Sequence, residues 1–218
     1  MTRFEPVADA RPSDEPWPAM TWPPPFGTEL SGSTVHLRPA VPAADAAAVS
    51  AALDDDRVWQ HVAGRPSDPA GWEARLRARF AQGLPWLVTL AEDVGGLAAG
   101  SVVGVSCYLD VSAADARLEV GATTYAPAVW GTRVNPETKL LLLSLAFDSL
   151  GAGRVQLQTD VRNARSQAAI ARLGARYEGL LRRHKRRADG TVRDTALFSI
   201  TAEDWPGVRE RLRQRLER

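Results

Sequence analysis

The sequence has little cysteine and histidine and no long apolar run, and each shortage excludes a class of protein. Its 218 residues include one cysteine, Cys107, and three histidines that lie far apart. One cysteine cannot build a disulfide framework or a cysteine-based zinc site within the chain, and no histidine belongs to an H-E-x-x-H motif. The longest apolar stretch, residues 140–147, is far shorter than the roughly 20 residues that cross a bilayer. We therefore expect no metal and no membrane-spanning segment.

Charge of one sign is not in excess either. Lysine and arginine together number 27 against 26 acidic residues, so the formal net charge is +1 and a generally basic, nucleic-acid-binding surface is not indicated. The N-terminal stretch is acidic and rich in proline, and it lacks the apolar core of a signal peptide. We expect a soluble, cytoplasmic protein that binds no membrane and for which nucleic acid is not a favoured partner.

Proline divides the chain into two parts. Seven of the 15 prolines precede residue 27, and such a stretch cannot form a helix or a central strand. The sequence therefore predicts an N-terminal arm over residues 1–32 and one folded domain over residues 33–218. Trp17, Trp22 and Phe26 favour an arm that packs on its own domain. Docking on a partner subunit, which leaves a homodimer open, and closure over a ligand are the alternatives.

Hydrophobic periodicity predicts the order of elements from residue 33 onwards. A strand is followed by two helices, three strands, a helix, a strand, a helix and a hairpin that turns at Asp189-Gly190, and a polar helix ends the chain. This order predicts a mixed α/β fold of the α+β type, with helices flanking a mostly antiparallel sheet of about seven strands.

The segment Leu118–Lys139 predicts a strand, a loop containing Gly131 and the start of a helix. Asn135 suits the N-cap, Pro136 the first helical position and Glu137 the first turn. Free backbone N–H groups at a helix start can bind a phosphate or pyrophosphate group. This signal is weak alone, because most helix starts bind nothing.

A second strand runs into a helix within the segment Thr159–Gly179. Asn163 and Ser166 are three residues apart near the start of this helix, and Gly174 ends it. Without a ligand, Asn163 would simply cap the helix and Ser166 would be a polar residue of its first turn.

Together the two segments resemble the GNAT superfamily of acyl-CoA N-acyltransferases, and most closely its ribosomal-protein N-terminal acetyltransferase (Rim-type) branch. The resemblance covers residues 33–206. It rests on matching motifs in the family's order: Leu37-Arg38-Pro39, Glu119-Val-Gly, Trp130-Gly-Thr-Arg-Val-Asn, Asp160-x-x-Asn163-x-x-Ser166, Leu173-Gly174 and Glu178-Gly179. It implies a sheet that is splayed at the cofactor site, acetyl-CoA as co-substrate and N-terminal acetylation as the activity.

The resemblance also implies which residues hold acetyl-CoA. The end of the central strand would lie beside the pantetheine arm and the thioester, and the loop before the next helix would bind the pyrophosphate through its N–H groups. Asn163 would bond the pantetheine arm, and Ser166 would lie near the sulfur. The strand and loop residues are Thr123, Thr124, Tyr125, Gly131, Thr132, Arg133, Val134 and Asn135.

Arg133 and Asn135 depart from the family pattern, because they stand where the family usually has small residues. A side chain at position 133 is acceptable if its φ is negative or if it points to solvent. Arg133 would then add a cation near the phosphates. The alternative is a narrowed or closed site.

The catalytic residues match the family only in part. Ile170 replaces the tyrosine that many members use as general acid, so Ser166, by resemblance to the branch, would donate to the leaving thiolate. The branch's proposed glutamate base falls near Lys185 in an ungapped count and does not carry over. Glu119 is the first choice of base and His184 the second. An ion pair for Glu119 and an exposed strand position for His184 are the structural alternatives.

The resemblance implies direct attack of a primary amine on the thioester in a ternary complex, so that Cys107 is left to pack in the core. The favoured acceptor is a protein N-terminus. A small amine such as an amino sugar or a polyamine is the close alternative, and a non-catalytic acyl-CoA-binding interaction module is the alternative from another class. By fold analogy, Trp59 and His61 lie in the acceptor loop.

Charge is unevenly distributed along the chain. Residues 162–193 contain ten basic and two acidic residues, whereas residues 1–60 contain four basic and nine acidic ones. The basic segment would serve the cofactor phosphates or an acidic protein substrate, contact RNA or the ribosome, or form a solvated edge strand.

Overall fold

The computed structural model describes residues 5–8 and 19–217, and its centre is one eight-stranded sheet. The strand order is β1-β2-β3-β4-β5-β6-β8-β7, and all neighbours are antiparallel except β5 and β6. The mixed, mostly antiparallel sheet is therefore confirmed, with one strand more than predicted. The strands are β1 Leu30–Ser31, β2 Val35–Pro39, β3 Gly83–Leu90, β4 Val102–Ser112, β5 Arg117–Tyr125, β6 Arg154–Asp160, β7 Arg176–Arg186 and β8 Val192–Thr201.

Helices cover both faces of the sheet. Those before β3 pack on one face around Leu87 and Val105, and those after β5 pack on the other in the larger core around Leu142 and Val155. The last turn of the fourth helix widens to a π turn over Leu145–Ser149. The helices are α1 Pro42–Ala52, α2 Asp56–Trp59, α3 Pro69–Phe80, α4 Val134–Ser144, α5 Ala164–Leu173 and α6 Trp205–Leu216.

The start of α4 differs from the predicted one by two residues. The helix begins at Val134, and Asn135 lies inside its first turn instead of capping it. One physical reason is the Thr132 hydroxyl, which accepts a hydrogen bond from the Val134 N–H at 3.3 Å and helps to close the turn earlier. Among the described residues, the Glu137 side chain makes no hydrogen bond to the start of its own helix. Its buried carboxylate instead accepts the backbone N–H groups of residues 33–35.

The arm residues that the structure describes next to the domain contact it. Trp22 packs edge-on against Tyr108 at 6.0 Å, and the Thr21 N–H donates to the Leu150 carbonyl. Phe26 is fully exposed and anchors nothing. Trp17 lies outside the described residues, so the boundary at residue 32 stays a prediction. In the part of the chain that the structure describes, no helix is long and apolar enough to cross a membrane.

Candidate functional site

The central strands β5 and β6 separate partway along their length. Their pairing is limited to Arg117–Glu119 of β5, opposite Arg154–Gln156 of β6. Beyond it, β5 carries a bulge opposite β4 in which Ala122 has a φ of +47°. The last six residues of β5 therefore have no pairing on β6, and a cleft of about 460 Å³ opens there. This is the splay that the resemblance predicted.

The loop between β5 and α4 presents backbone N–H groups to the cleft. Gly131 takes a φ of +80°, whereas Arg133 takes −68° with an exposed side chain, so that Arg133 neither strains nor closes the loop. The N–H groups of Gly131, Arg133 and Asn135 find no acceptor among the described residues. Those of Thr132 and Val134 make only long internal bonds, at 3.4 and 3.3 Å. An anion can be bound here.

The start of α5 forms the opposite wall of the cleft. Asn163 caps the helix by accepting the Ser166 N–H through Oδ1 at 2.9 Å, and its NH₂ group has no acceptor among the described residues. Asn163, Ser166 and Ile170 all line the cleft. Next to them the Arg165 guanidinium lies over the Trp130 ring, 3.7 Å from its centroid. The structural role of Asn163 and the predicted ligand role are therefore compatible.

Glu119 lies where the two strands begin to separate. Its side chain is buried, and the amide groups of Gln158 and Gln156 donate to Oε2. Its Oε1 lies against Gly121, where an added Cβ would come within 2.1 Å of this oxygen. No cation forms an ion pair with Glu119 among the residues described. The carboxylate is thus held by neutral donors and borders the cleft.

The other proposed base is in a different position. His184 is exposed on β7 and does not line the cleft. Partial burial, together with the charges of Lys185 and Arg193, lowers the pKa of His184 below its usual value. Of the two candidate bases, only Glu119 borders the space between the strands.

Of the two residues predicted to lie in the acceptor loop, one lines the cleft and the other does not. His61 lines the cleft near the start of the α2–α3 connection. Trp59 lies outside it, because its ring packs on Trp72 at 5.6 Å and its Nε1–H donates to the Leu53 carbonyl at 2.9 Å. Trp59 therefore supports the loop.

Lys139 is a site residue that the sequence did not indicate. It follows the predicted loop within a leucine-rich helix, yet its Nζ donates to Thr123 Oγ1 at 2.7 Å and to Ser106 Oγ at 3.3 Å. It is buried in the cleft wall without a carboxylate partner among the described residues, and burial lowers its pKa to about 8. In the sequence Lys139 looks like a surface lysine, because its role depends on a tertiary contact with Thr123 in the β5 bulge.

Two reactive side chains near the cleft are inert. Cys107 is buried, and burial raises the pKa of its thiol to about 11, so it stays neutral. The Tyr125 hydroxyl is also buried, which raises its pKa far above neutrality. Within the described residues no cluster of three metal-ligating side chains occurs.

Most of the predicted site residues come together. Those that line the cleft are Glu119, Thr123, Thr124, Tyr125, Gly131, Thr132, Asn135, Asn163, Ser166 and His61. Arg133, Val134, His184 and Trp59 do not line it.

Comparison with known proteins defines the class. The family model described as Acetyltransferase (GNAT) domain matches residues 34–176, which is more than half of the chain. The chain belongs to the GNAT acetyltransferase family, and it is an acyltransferase of the acyl-CoA N-acetyltransferase type. No curated protein matches the sequence.

Solved structures agree with this assignment. A protein from T. thermophilus assigned as an acetyltransferase is 34% identical, with a TM-score of 0.76 over 88% of this chain and 98% of its own. A GNAT-family protein from Chromobacterium violaceum is 28% identical, with a TM-score of 0.82 over 93% and 100%. Mycobacterium smegmatis RimJ, solved with CoA-disulfide, is 25% identical, with a TM-score of 0.72 over 87% and 95%. The predicted GNAT membership is confirmed, and RimJ is consistent with the Rim-type branch.

Proposed function

We propose that this protein transfers the acetyl group of acetyl-CoA to the α-amine of a polypeptide. The observation that carries the proposal is a cleft that is lined from both faces of the sheet, with Glu119 where the strands separate. Strand register pairs Glu119 with Leu109 and Gly121 with Cys107, which puts these side chains on the face covered by α1–α3. The α4 loop and the α5 start lie towards the other face. Donor and acceptor can therefore approach from opposite sides.

Each side chain has a role in this reaction. The neutral amine attacks the thioester carbonyl, a C–N bond forms, and the C–S bond breaks as the thiolate leaves. Glu119 accepts the proton that the amine loses, and the Ser166 hydroxyl donates a hydrogen bond to the leaving sulfur. The Gln158 Oε1 is a buried acceptor without a partner among the described residues, and an amine N–H can satisfy it.

The chemistry of the base favours an α-amine as acceptor. A peptide α-amine has a pKa of about 8, whereas a lysine or polyamine nitrogen has one of about 10.4. About a tenth of α-amines are therefore neutral at pH 7, so a carboxylate is a sufficient base for them. The similarity to RimJ points in the same direction.

The test is a panel of lysine-free peptides, an amino sugar and spermidine, each with acetyl-CoA, followed by thiol release and by mass spectrometry of the product. We expect acetylation at the peptide α-amine. A faster reaction with spermidine or the amino sugar would contradict the proposal. Absence of thiol release from every acceptor, with acetyl-CoA binding intact, would leave a binding module.

Glu119→Gln tests the assigned base. The amide keeps the size of the side chain and loses the proton acceptor, so we expect kcat to fall by about 100-fold or more. The Kd for acetyl-CoA, measured by calorimetry, should stay within about threefold of the parent value, because Glu119 lies on the face covered by α1–α3, which we call the acceptor face. Glu73→Gln on α3 is the control, since Glu73 is half-buried and does not line the cleft; it should leave kcat unchanged.

A further inference from the structure

Ten lysine and arginine side chains line the same cleft as Glu119, and four of them form two pairs, one on α3 and one across β7 and β8. Arg75 and Arg79 lie one turn apart on α3, and Lys185 of β7 is the register partner of Arg193 on β8. The three arginines are half-buried, and Lys185 is accessible to solvent.

Strand register places both pairs on the acceptor face of the sheet. Helix α3 covers this face, and the charges of Arg75 and Arg79 act on Cys107, which points the same way as Glu119. On β6, Gln158 reaches Glu119 and pairs with Leu197, while Asp160 pairs with Thr195. Side chains two residues apart on a strand point to the same face, so Arg193 lies on the same face as Thr195. Lys185 is the register partner of Arg193 and lies on this face too. Both pairs therefore line the cleft on the side where Glu119 lies, one from α3 and one from β7 and β8.

These four cations lack the carboxylates that other arginines of the molecule have. Arg57 pairs with Asp55 at 2.7 Å, and Arg187 pairs with Asp160 at 2.6 Å. Within the described residues the four make only neutral contacts, such as Arg75 to the Gly64 carbonyl, Arg79 to Gln82 and Arg193 to Thr195. The acceptor end of the cleft is therefore strongly positive.

Partial burial makes this cluster unfavourable for stability. Burial is the largest effect, and it lowers the pKa of Arg75, Lys185 and Arg193. Neighbouring cations lower it further, whereas Glu119 opposes the shift at Lys185, and Asp160 and Glu119 oppose it at Arg193. The pKa values stay below the usual ones, which means that the charged forms are held at a cost. A ligand that brings negative charge removes this cost on binding.

The phosphates of acetyl-CoA do not account for the cluster. The free N–H groups that suit them lie at the start of α4, with Arg165 and Arg172 of α5 beside the same wall. Helix α4 packs on the face opposite to α3. The four cations are left for the acceptor.

We propose that the acceptor is a polypeptide N-terminus with aspartate or glutamate among the residues that directly follow the α-amine. This inference rests on the proposed function and specifies its substrate. Glu119 receives the amine, and the cations on either side bind the carboxylates of the following residues. Several carboxylates in sequence suit two separate pairs of cations better than the one or two of a free amino acid. Polyamines and amino sugars are repelled by the same charges.

The experiment compares lysine-free peptides that differ only at positions 2–4, which carry three aspartates, three alanines or three arginines. We expect kcat/KM to be at least tenfold higher for the aspartate peptide than for the alanine peptide, with the arginine peptide slowest. The advantage should shrink between 50 and 500 mM salt, while the KM for acetyl-CoA stays constant.

Paired variants assign this preference to the cluster. Arg79→Gln combined with Arg193→Gln should remove most of the preference for the aspartate peptide. Arg75 is left intact because it also holds the carbonyls of residues 63 and 64. Arg77→Gln is the matched control on α3, since Arg77 is exposed, is paired with Glu73 and does not line the cleft; it should retain the full preference.

The outcomes separate this inference from the proposed function. Equal acetylation of all three peptides would overturn the inference alone. If no peptide is acetylated, fluorescence anisotropy of labelled peptides with CoA bound decides: tighter binding of the aspartate peptide that is lost in the double variant supports the acidic site, and equal binding overturns it. Free aspartate acetylated as efficiently as the peptide would overturn the assignment to a polypeptide.

Discussion

At the scale of the residue, Lys139 lowers the stability of the fold because its charged group is buried. A methylene stem fits the core between α4 and the β5 bulge, but the ammonium has only two hydroxyl oxygens as partners. Its pKa of about 8 in the folded chain lies well below the usual 10.4 of an unfolded one. Below pH 8 both states bind the proton and the penalty on folding is complete. Between pH 8 and 10.4 the unfolded chain binds more protons, so the penalty is progressively lost as pH rises.

Lys139→Met should therefore stabilise the protein at pH 7 by roughly 2 kcal/mol, because it keeps the stem and removes the buried charge. The gain should become smaller at pH 9.5. Urea unfolding at the two pH values measures both quantities. Arg182→Met is the control, since Arg182 is exposed on β7 and does not line the cleft; it should change stability by less than about 0.5 kcal/mol. A gain for Lys139→Met that is the same at both pH values would contradict the assigned cause.

At the scale of elements, the start of α5 combines a structural and a binding role in one side chain. Asn163 Oδ1 satisfies a first-turn N–H, and Asn163 also lines the cleft in which we expect the pantetheine arm to bind. Asp68 caps α3 in the same way, by accepting the Gly71 N–H at 2.7 Å, but it does not border this cleft. The two caps can therefore be compared directly.

Asn163→Ala and Asp68→Ala should each cost about 1 kcal/mol of stability, which is typical of a lost N-cap. Only Asn163→Ala should also weaken acetyl-CoA binding, by roughly fivefold to tenfold, because one hydrogen bond contributes about 1 kcal/mol. Chemical unfolding and calorimetry measure the two effects. An equal loss of affinity in both variants would mean that Asn163 acts only as a cap.

The same scale shows what the sequence could predict about the fold. Periodicity located every long element, and the end of α5 at Gly174 agrees to the residue. The two-residue strand β1 and the four-residue helix α2 were not predicted, because neither is long enough to repeat a pattern. The start of α4 was predicted two residues late because Asn135 and Pro136 are typical of helix starts. In the structure the Thr132 hydroxyl accepts a hydrogen bond from the Val134 N–H, and the helix begins at Val134.

The candidate site could be predicted where local motifs define it. The loop before α4, the start of α5 and Glu119 each follow from a few neighbouring residues. Lys139, Gln158 and the four cations could not be found in this way, because strand register and helix packing bring them together from distant parts of the chain. His184 was misplaced for a related reason, since the register shift in β7 between Leu181 and Lys185 decides which side chains face the cleft.

At the scale of the whole molecule, the sheet has a seam between β5 and β6, where the two strands share few hydrogen-bonded pairs. Three register pairs join β5 to β6, while β4 and β5 or β6 and β8 share six or seven. A ligand that fills the cleft contacts strands on both sides of this seam. We therefore expect bound acetyl-CoA to take the place of the missing strand pairing next to residues 120–125 of β5.

Hydrogen exchange can test this role. We expect acetyl-CoA to slow amide exchange in residues 120–125, and at 100 times its Kd to stabilise the fold by about 2.7 kcal/mol, or about 5–10 °C in Tm. Adenosine 3′,5′-bisphosphate, which lacks the pantetheine arm, is the control; it should protect the start of α4 and leave residues 120–125 exchanging. Protection of both regions by the control would place the arm elsewhere.

The placement of Lys139 and Lys185 has a practical consequence. They are the only lysines among 27 basic residues, and both border the cleft. Reagents that modify ε-amines will therefore react with this protein only at the cleft. A ligand that fills the cleft should reduce this labelling, so the extent of labelling reports whether a ligand is bound. Immobilisation or cross-linking through an ε-amine will, for the same reason, modify the cleft. Thiol coupling at an introduced surface cysteine avoids this, because the native Cys107 is buried.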